Sequence, residues 1–542
     1  MRGNRYMSWW CSTPVAVLLA LAAWLGAPAA WAAEFHVVVG DQPGGTGSAQ
    51  NPWDLATAFG HPAAVQPGDT IWLHGGTYPI SGNLTSVLTG TSDLPIVVRQ
   101  AAGERATLDT GDTPANRVII DGQYTWYWGF EITSSAADRW AADGVAAQRG
   151  YSIDVGNNGG NPGIRLINLV VHDTGGAIGF WSGVTEGEVY GCLIYYNGYD
   201  YSDRGHGHAI YTQNVSGPKR IADNVMFGQY SHGVHAYTEG GQINDFLLEG
   251  NIGFENGVVS TISGRTRNLL IGGTPVAQDP TVRQNYAYFD PAVGDGTSCD
   301  LGYGAGTANA IVQDNVLVGG GTAFRIASTN PTVTGNTIYG PSDGADAVTF
   351  PNNVFGQSPP TTGAAVFVRP NEYDTDRANV VAFNWALAAS VDADPSDLLV
   401  PGDLYELRDV QDYFGPAAAT GSYQGGTIPL PMDRTDVSAV TGTPATPFVH
   451  TSAQFGAFVL LRTGHEDPGT GGGGAGGNGT GGSAGSGGSG ATGASAGAQG
   501  PAEEDSGCGC RLARDGSAGG AGWLAMLSLV LLGRRRAAAG GR

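Results

Sequence analysis

Residues 206–213 read HGHAIYTQ and residues 232–239 read HGVHAYTE, so His206/His232, Gly207/Gly233, Tyr211/Tyr237, Thr212/Thr238 and Gln213/Glu239 recur at an offset of 26. A strand-sized segment that returns roughly every 20 to 50 residues cannot bury its apolar side alone, so successive copies must stack. The repeat predicts a solenoid of the parallel β-helix type, with one coil per copy.

Asparagine extends the pattern outward from this pair, in LINLVV (Asn168), ADNVMF (Asn224), EGNIGF (Asn251), RQNYAY (Asn285), QDNVLV (Asn315) and TGNTIY (Asn336), and Cys192 of YGCLIYY fills the same slot once. The steps are 24, 32, 27, 34, 30 and 21 residues, irregular enough to require loop insertions that mark a variable face. Asparagine tolerates left-handed backbone and bonds local backbone groups, which suits a tight turn. These residues are therefore read as structural, forming an internal ladder where turns stack.

With 89 glycines and 14% charged residues in 542, the chain has the composition of strands and turns rather than helical bundles. Arg2 and Arg5 precede an apolar run from Val15 to Leu25, and Ala30-Trp31-Ala32 offers small residues for cleavage, so residues 1–32 read as an export signal. Residues 467–507 are mostly Gly, Ser, Ala and Thr and form a flexible linker. Residues 508–542 follow, with GCGC (Gly507 to Cys510), an apolar segment from Gly522 to Gly533 and then Arg534, Arg535 and Arg536. This order resembles the myxobacterial-type C-terminal sorting tail. The resemblance implies processing near Cys508 and Cys510 by sorting machinery and display at the cell surface, a membrane helix being the competing reading. Only Cys192 and Cys299 then remain in the folded part, too few for a disulfide framework, with a bridge between them left open.

The net charge of -22 understates the acidity, because Arg2, Arg5, Arg534, Arg535, Arg536 and Arg542 lie in segments expected to be removed. Such a surface repels nucleic acid. An acidic polysaccharide would bind only through a local arginine group or bridging Ca²⁺.

From Glu34 onward, NPWDLATAF predicts one short helix plugging the open end of the solenoid, followed by strands in PGDTIWLHGGTY, LPIVVRQAAGERATLD and RVIIDGQYTWYWGFEI. Asn51-Pro52-Trp53, Pro67 to Ile71, Gly75 to Tyr78 and Gly103-Glu104-Arg105 resemble the amino-terminal cap of secreted right-handed β-helix proteins of the pectate-lyase-like superfamily. With the repeats, the resemblance covers residues 34–351. It implies an all-β right-handed parallel β-helix, and it leaves the reaction open among lyases, hydrolases, epimerases and non-catalytic adhesins. Residues 362–463 lose the period and read as a small β-sandwich, similar to those appended to many carbohydrate-active enzymes, or as a mechanical spacer.

Side chains alternate along a strand, so with Ile210 and Ala236 inward, His208, Thr212, Val234 and Thr238 share the interior. Ala209, Tyr211, Gln213, His235, Tyr237 and Glu239 then face outward, and GGAIGFW aligns Gly179 with Tyr211 and Trp181 with Gln213. Trp181, Tyr211, Tyr237 and Gln213 are candidate sugar-binding residues because aromatic faces stack on sugar rings. His235, Glu239, Tyr237 and Tyr211 are candidate catalytic groups, as are Lys219 and Arg220, since superfamily lyases often use such a base with Ca²⁺ to abstract a proton α to a uronate. Cross-strand packing is the structural reading of the tyrosines. Asp200 and Asp203 in YYNGYDYSDR are candidate Ca²⁺ ligands or a groove wall. No EF-hand, zinc, P-loop or nucleophile-elbow motif occurs in usable context. The expectation is a surface-displayed polysaccharide lyase or hydrolase; the alternative is a non-catalytic glycan-binding protein.

Overall fold

The computed structural model describes residues 32–466 apart from positions 41, 43, 142–148, 157–158, 263–265 and 292. Residues 1–31 and 467–542, which hold the expected export signal, linker and sorting tail with Cys508 and Cys510, lie outside the described residues. Among the described residues no helix is long and apolar enough to cross a membrane.

Three parallel sheets of 11, 10 and 11 strands run along the coils. The first extends from Glu34–Val37 to Thr332–Thr334, the second from Asn83–Ser86 to Ser342–Asp343, and the third from Gly76–Pro79 to Val354–Gly356. Each strand pairs with its counterparts one coil before and one coil after. This is the right-handed parallel β-helix, the hand that parallel crossovers take. Inward positions stack in files such as Ile178, Ile210, Val234, Leu269, Cys299 and Phe324, all buried. Each such side chain contributes roughly 1.5–3 kcal/mol by leaving water.

The amino-terminal end of this core is closed by the helix Leu55–Phe59, which buries Leu55, Ala58 and Phe59. Asp54 caps it, accepting a 2.7 Å bond from the Thr57 amide.

The asparagine ladder forms where the first sheet turns into the third. Nδ2 of Asn224, Asn251, Asn285 and Asn315 each donates to Oδ1 of the next asparagine at 2.8–3.0 Å, and Asn336 continues the row to Asn353. Asn168 is the exception. It stands one position earlier in the turn, with φ 51°, in the column occupied by Gly191, Asp223, Gly250, Gln284, Asp314 and Gly335, all of positive φ. The left-handed residue of the turn is therefore the one before the ladder. Cys192 does stand in the ladder slot, where its amide donates to Asn224 Oδ1. Cys192 and Cys299 are both free and buried, so no bridge joins them.

After the last coil, five antiparallel strands (Ala365–Pro370, Arg377–Phe383, Phe455–His465, Asp403–Asp409 and Ala419–Ser422) form one sheet, and Ser390–Ala393 pairs with Ile428–Pro431 in another. Val380, Leu407, Phe458 and Leu460 face the two-stranded layer with Val391 and Leu430. The alternate residues Val381, Phe383, Phe455 and Val459 pack on Tyr195, Phe227, Phe254 and Tyr288 of the third β-helix sheet. The carboxy-terminal module is thus docked on the solenoid over an apolar face, and does not act as a free spacer.

Candidate functional site

The carboxy-terminal module covers the later coils of the third sheet, while Thr77, Thr107, Asp109, Glu131 and His172 of its first coils line an open cavity; the residues singled out by the sequence lie on the outer face of the second sheet. Its strands Ile153–Val155, Ile178–Phe180, Ile210–Thr212 and His232–Ala236 are consecutive neighbours. Gly179 pairs with Tyr211 as the sequence predicts, but Tyr211 pairs with His235 and Ile210 with Val234, a step of 24 rather than 26. A shift of two leaves the alternation intact, so within the paired strands the expected outward residues stay outward and change only their neighbours, while Ala209, expected outward, precedes the strand and is buried in the core.

The result is a continuous row of rings. Trp181 meets Tyr211 edge-on at 5.0 Å and 66°, Tyr211 stacks on His235 at 4.9 Å and 21°, and His235 stacks on Tyr237 at 4.9 Å and 13°. Stacked rings cover one another's faces, His235 Nδ1 is buried, and Trp181 Nε1 is bonded to Asp154, so the tyrosine hydroxyls are the polar edges left to the row. The row therefore offers hydrogen-bonding edges, and less of a stacking platform than the sequence suggests. At its end the Tyr237 hydroxyl donates to Glu239 Oε1 at 3.2 Å, and Glu239 is exposed. Burial, with the neighbouring Tyr237 and Glu239, raises the Tyr211 phenol to about 12, so it is a proton donor at neutral pH.

Asp154 belongs to the same outward column, one coil before Gly179. It accepts from Arg117 Nη1 at 2.6 Å and from Trp181 Nε1 at 3.3 Å. Gly179 leaves room for this contact: an added Cβ would lie 2.4 Å from Asp154 Oδ1 and 2.8 Å from Trp181 Nε1 and would displace them.

His208 departs from expectation. It enters its strand at the turn instead of joining the core, largely buried, with its ring stacked on His232 at 5.3 Å and 13° and beside His235 at 4.5 Å. The three histidines meet because the coil step is 24; the repeat offset pairs His206 with His232 and conceals this. Burial, together with Arg204 and His206, pushes His208 down to about 3, so its imidazole is neutral.

Other candidates are not brought to this face. Lys219 is buried with its ammonium directed inward, donating to the carbonyls of Trp181 and Gln213 at 2.6 Å and of Phe180 at 3.3 Å. Burial pulls it down to about 7. It ties the site from beneath and has no path to a bound substrate. Arg220 lies on the outer face of the first sheet, bonded to Glu188, Glu249 and Glu372, and so clamps the carboxy-terminal module to the coils.

Asp200 and Asp203 do not form a Ca²⁺ nest. Asp200 is buried, with Oδ1 accepting from Ser260 and Oδ2 from the Thr261 amide and hydroxyl. Asp203 binds His206 and Arg204. Calcium takes six or more oxygen ligands, and these carboxylates are already engaged and turned to different partners.

No protein-family model matches the chain, and neither does any curated protein. Among solved structures it is similar to pectate lyase Pel9A, with TM-score 0.41 and 18% identity over 56% of this chain and 78% of that one. A rhamnogalacturonan lyase gives TM-score 0.45 and 12% identity over 60% and 85%, respectively. An alginate lyase from Paenibacillus sp. str. FPU-7 gives 0.33 and 15% over 56% and 99%.

Proposed function

We propose that this chain is an exported, surface-displayed, carbohydrate-active protein that binds a polysaccharide along the outer face of the second sheet and cleaves it by elimination. The observation that carries the reading is the unbroken outward row Trp181, Tyr211, His235 and Tyr237, ending on the Tyr237–Glu239 hydrogen bond. Neighbouring coils rise ~4.8 Å, close to the length of one sugar ring, so successive side chains can address successive hydroxyls of an extended glycan. Tyr211, held protonated, donates its proton to the departing glycosidic oxygen. Glu239, through Tyr237 or directly, takes the proton α to a uronate carboxylate; the electron pair then expels the glycosidic oxygen and leaves an unsaturated sugar.

Hydrolysis is the weaker reading, since it needs two working carboxylates flanking the bond. In this row Asp154 is held by Arg117 and Trp181, and Glu239 stands exposed at the other end. Display at the surface by the sorting tail belongs to the same proposal and draws on sequence alone.

The test is incubation of the full chain with a panel of uronate polysaccharides, following ultraviolet absorbance of unsaturated product, with reducing ends assayed on neutral glycans. Elimination is expected, lowered about 100-fold or more in Glu239→Gln and Tyr237→Phe with binding retained. Binding without turnover on any substrate would establish the adhesive alternative. Neither binding nor turnover would overturn the proposal.

A further inference from the structure

We infer that His208, His232 and His235 form a binding site for one transition-metal ion of the zinc class at the edge of the second sheet. One ring nitrogen from each lies within 4.8 Å of the other two. The ring centroids are 5.3, 4.5 and 4.7 Å apart for the pairs His208–His232, His208–His235 and His232–His235. His232 and His235 lie in the strand His232–Ala236, and His208 stands two residues before the paired strand Ile210–Thr212, held by the bonds from the Ala209 amide to the His232 carbonyl at 3.0 Å and from the Ala177 amide to its own carbonyl at 3.2 Å. Zinc–nitrogen bonds of about 2.0–2.1 Å put tetrahedral ligand atoms ~3.3 Å apart. Small side-chain rotations close the remaining gap.

The donor set selects the ion. Three imidazoles without a carboxylate suit zinc, cobalt, nickel or copper and do not suit calcium or magnesium. The Nδ1 of His208 is buried without a hydrogen-bond partner among the described residues, so it is open to a ligand bond. Three protein ligands leave a fourth position for water or a ligand oxygen. That position adjoins Tyr211, whose ring packs edge-on against His208 at 5.3 Å and stacks on His235. The inference does not depend on the polysaccharide reading, because metal uptake is measured without a glycan.

The experiment uses the full chain, purified without a polyhistidine tag and carrying Cys508→Ser and Cys510→Ser so that tail thiols do not compete. After chelator treatment and dialysis it is titrated with Zn²⁺, and separately with Co²⁺ while visible absorption is followed. One equivalent is expected, with four-coordinate cobalt bands. His208→Ala and His235→Gln should each weaken uptake about 100-fold, whereas His206→Ala should leave it unchanged. X-ray absorption of the zinc-loaded protein should show three imidazole nitrogens, a reading that holds even where a substituted chain fails to fold. No saturable uptake, equal uptake in the His208 and His235 variants, or a zinc shell without the three imidazoles would overturn the inference.

Discussion

Tyr211 and His235 are register partners on adjacent coils, and their rings stack at 4.9 Å and 21°. Tyr211 thereby joins the aromatic row to the histidine cluster. Tyr211→Leu should break the stack, lower stability by about 1 kcal/mol and weaken glycan binding. Tyr211→Phe should keep stability and lose only the hydroxyl donor, so comparing denaturation and glycan affinity for the two variants separates packing from recognition.

Lys219 is the only lysine in the chain, and it is fully buried. An amine-directed reagent should leave it unlabelled in the native protein and modify it fully after denaturation, as peptide mass spectrometry would report. Lys219→Met should cost about 3 kcal/mol, because three buried carbonyls lose their donor. Two of them belong to Trp181 and Gln213, so ligand affinity at the site should fall even where the variant folds.

His172 makes stability depend on pH. Burial alone would lower its pKa, but hydrogen bonds to Asp173 at 2.8 Å and Glu131 at 2.7 Å lift it to about 8. Burial alone would raise Glu131, yet bonds from His172 and Arg105 hold it at about 2. The histidine's contribution is complete below its unfolded value of about 6.5 and is lost as pH rises through 8; that of Glu131 is complete above about 4.5 and is lost as pH falls through 2. Unfolding free energies from urea titrations of the wild type and His172→Gln should therefore differ most between about pH 4.5 and 6.5, by an amount on the order of 2 kcal/mol, and converge above pH 8.

Asn285 sits mid-ladder, bonded to Asn251 and Asn315 and to the carbonyls of Leu248 and Arg283. Asn285→Ala should lower stability by about 2–4 kcal/mol, leaving buried partners unsatisfied. The denaturant slope should be unchanged and the second-sheet site intact, since the ladder lies at a different turn.

Arg220 spans the two layers, with Glu188 and Glu249 on the coils and Glu372 on the module. Its removal leaves Glu188 nearly buried without this cation, so Arg220→Ala should cost about 3 kcal/mol. Limited proteolysis should then cleave near residues 357–364, ahead of the first strand of the carboxy-terminal module, sooner than in the wild type.

The sequence by itself determined the coil, the plug helix, the asparagine row from Asn224 to Asn336, and the outward side of the paired strands, though not the placement of His208 and Ala209 at the turn that leads into them. These follow from strand alternation and turn chemistry, which are local. The tertiary structure alone decided who stands beside whom. The likeness of HGHAIYTQ to HGVHAYTE suggests a step of 26, whereas stacking of Ile210 on Val234 fixes 24, because register answers to inward packing and loop length rather than to resemblance between segments. From that shift of two come the Tyr211–His235 stack and the meeting of His208 with His232. Burial of Lys219, the clamp at Arg220 and the docking over Tyr195 and Phe227 were likewise hidden, since their partners lie on other coils or more than 150 residues away, and an ion pair or apolar face leaves no trace in the order of the residues between.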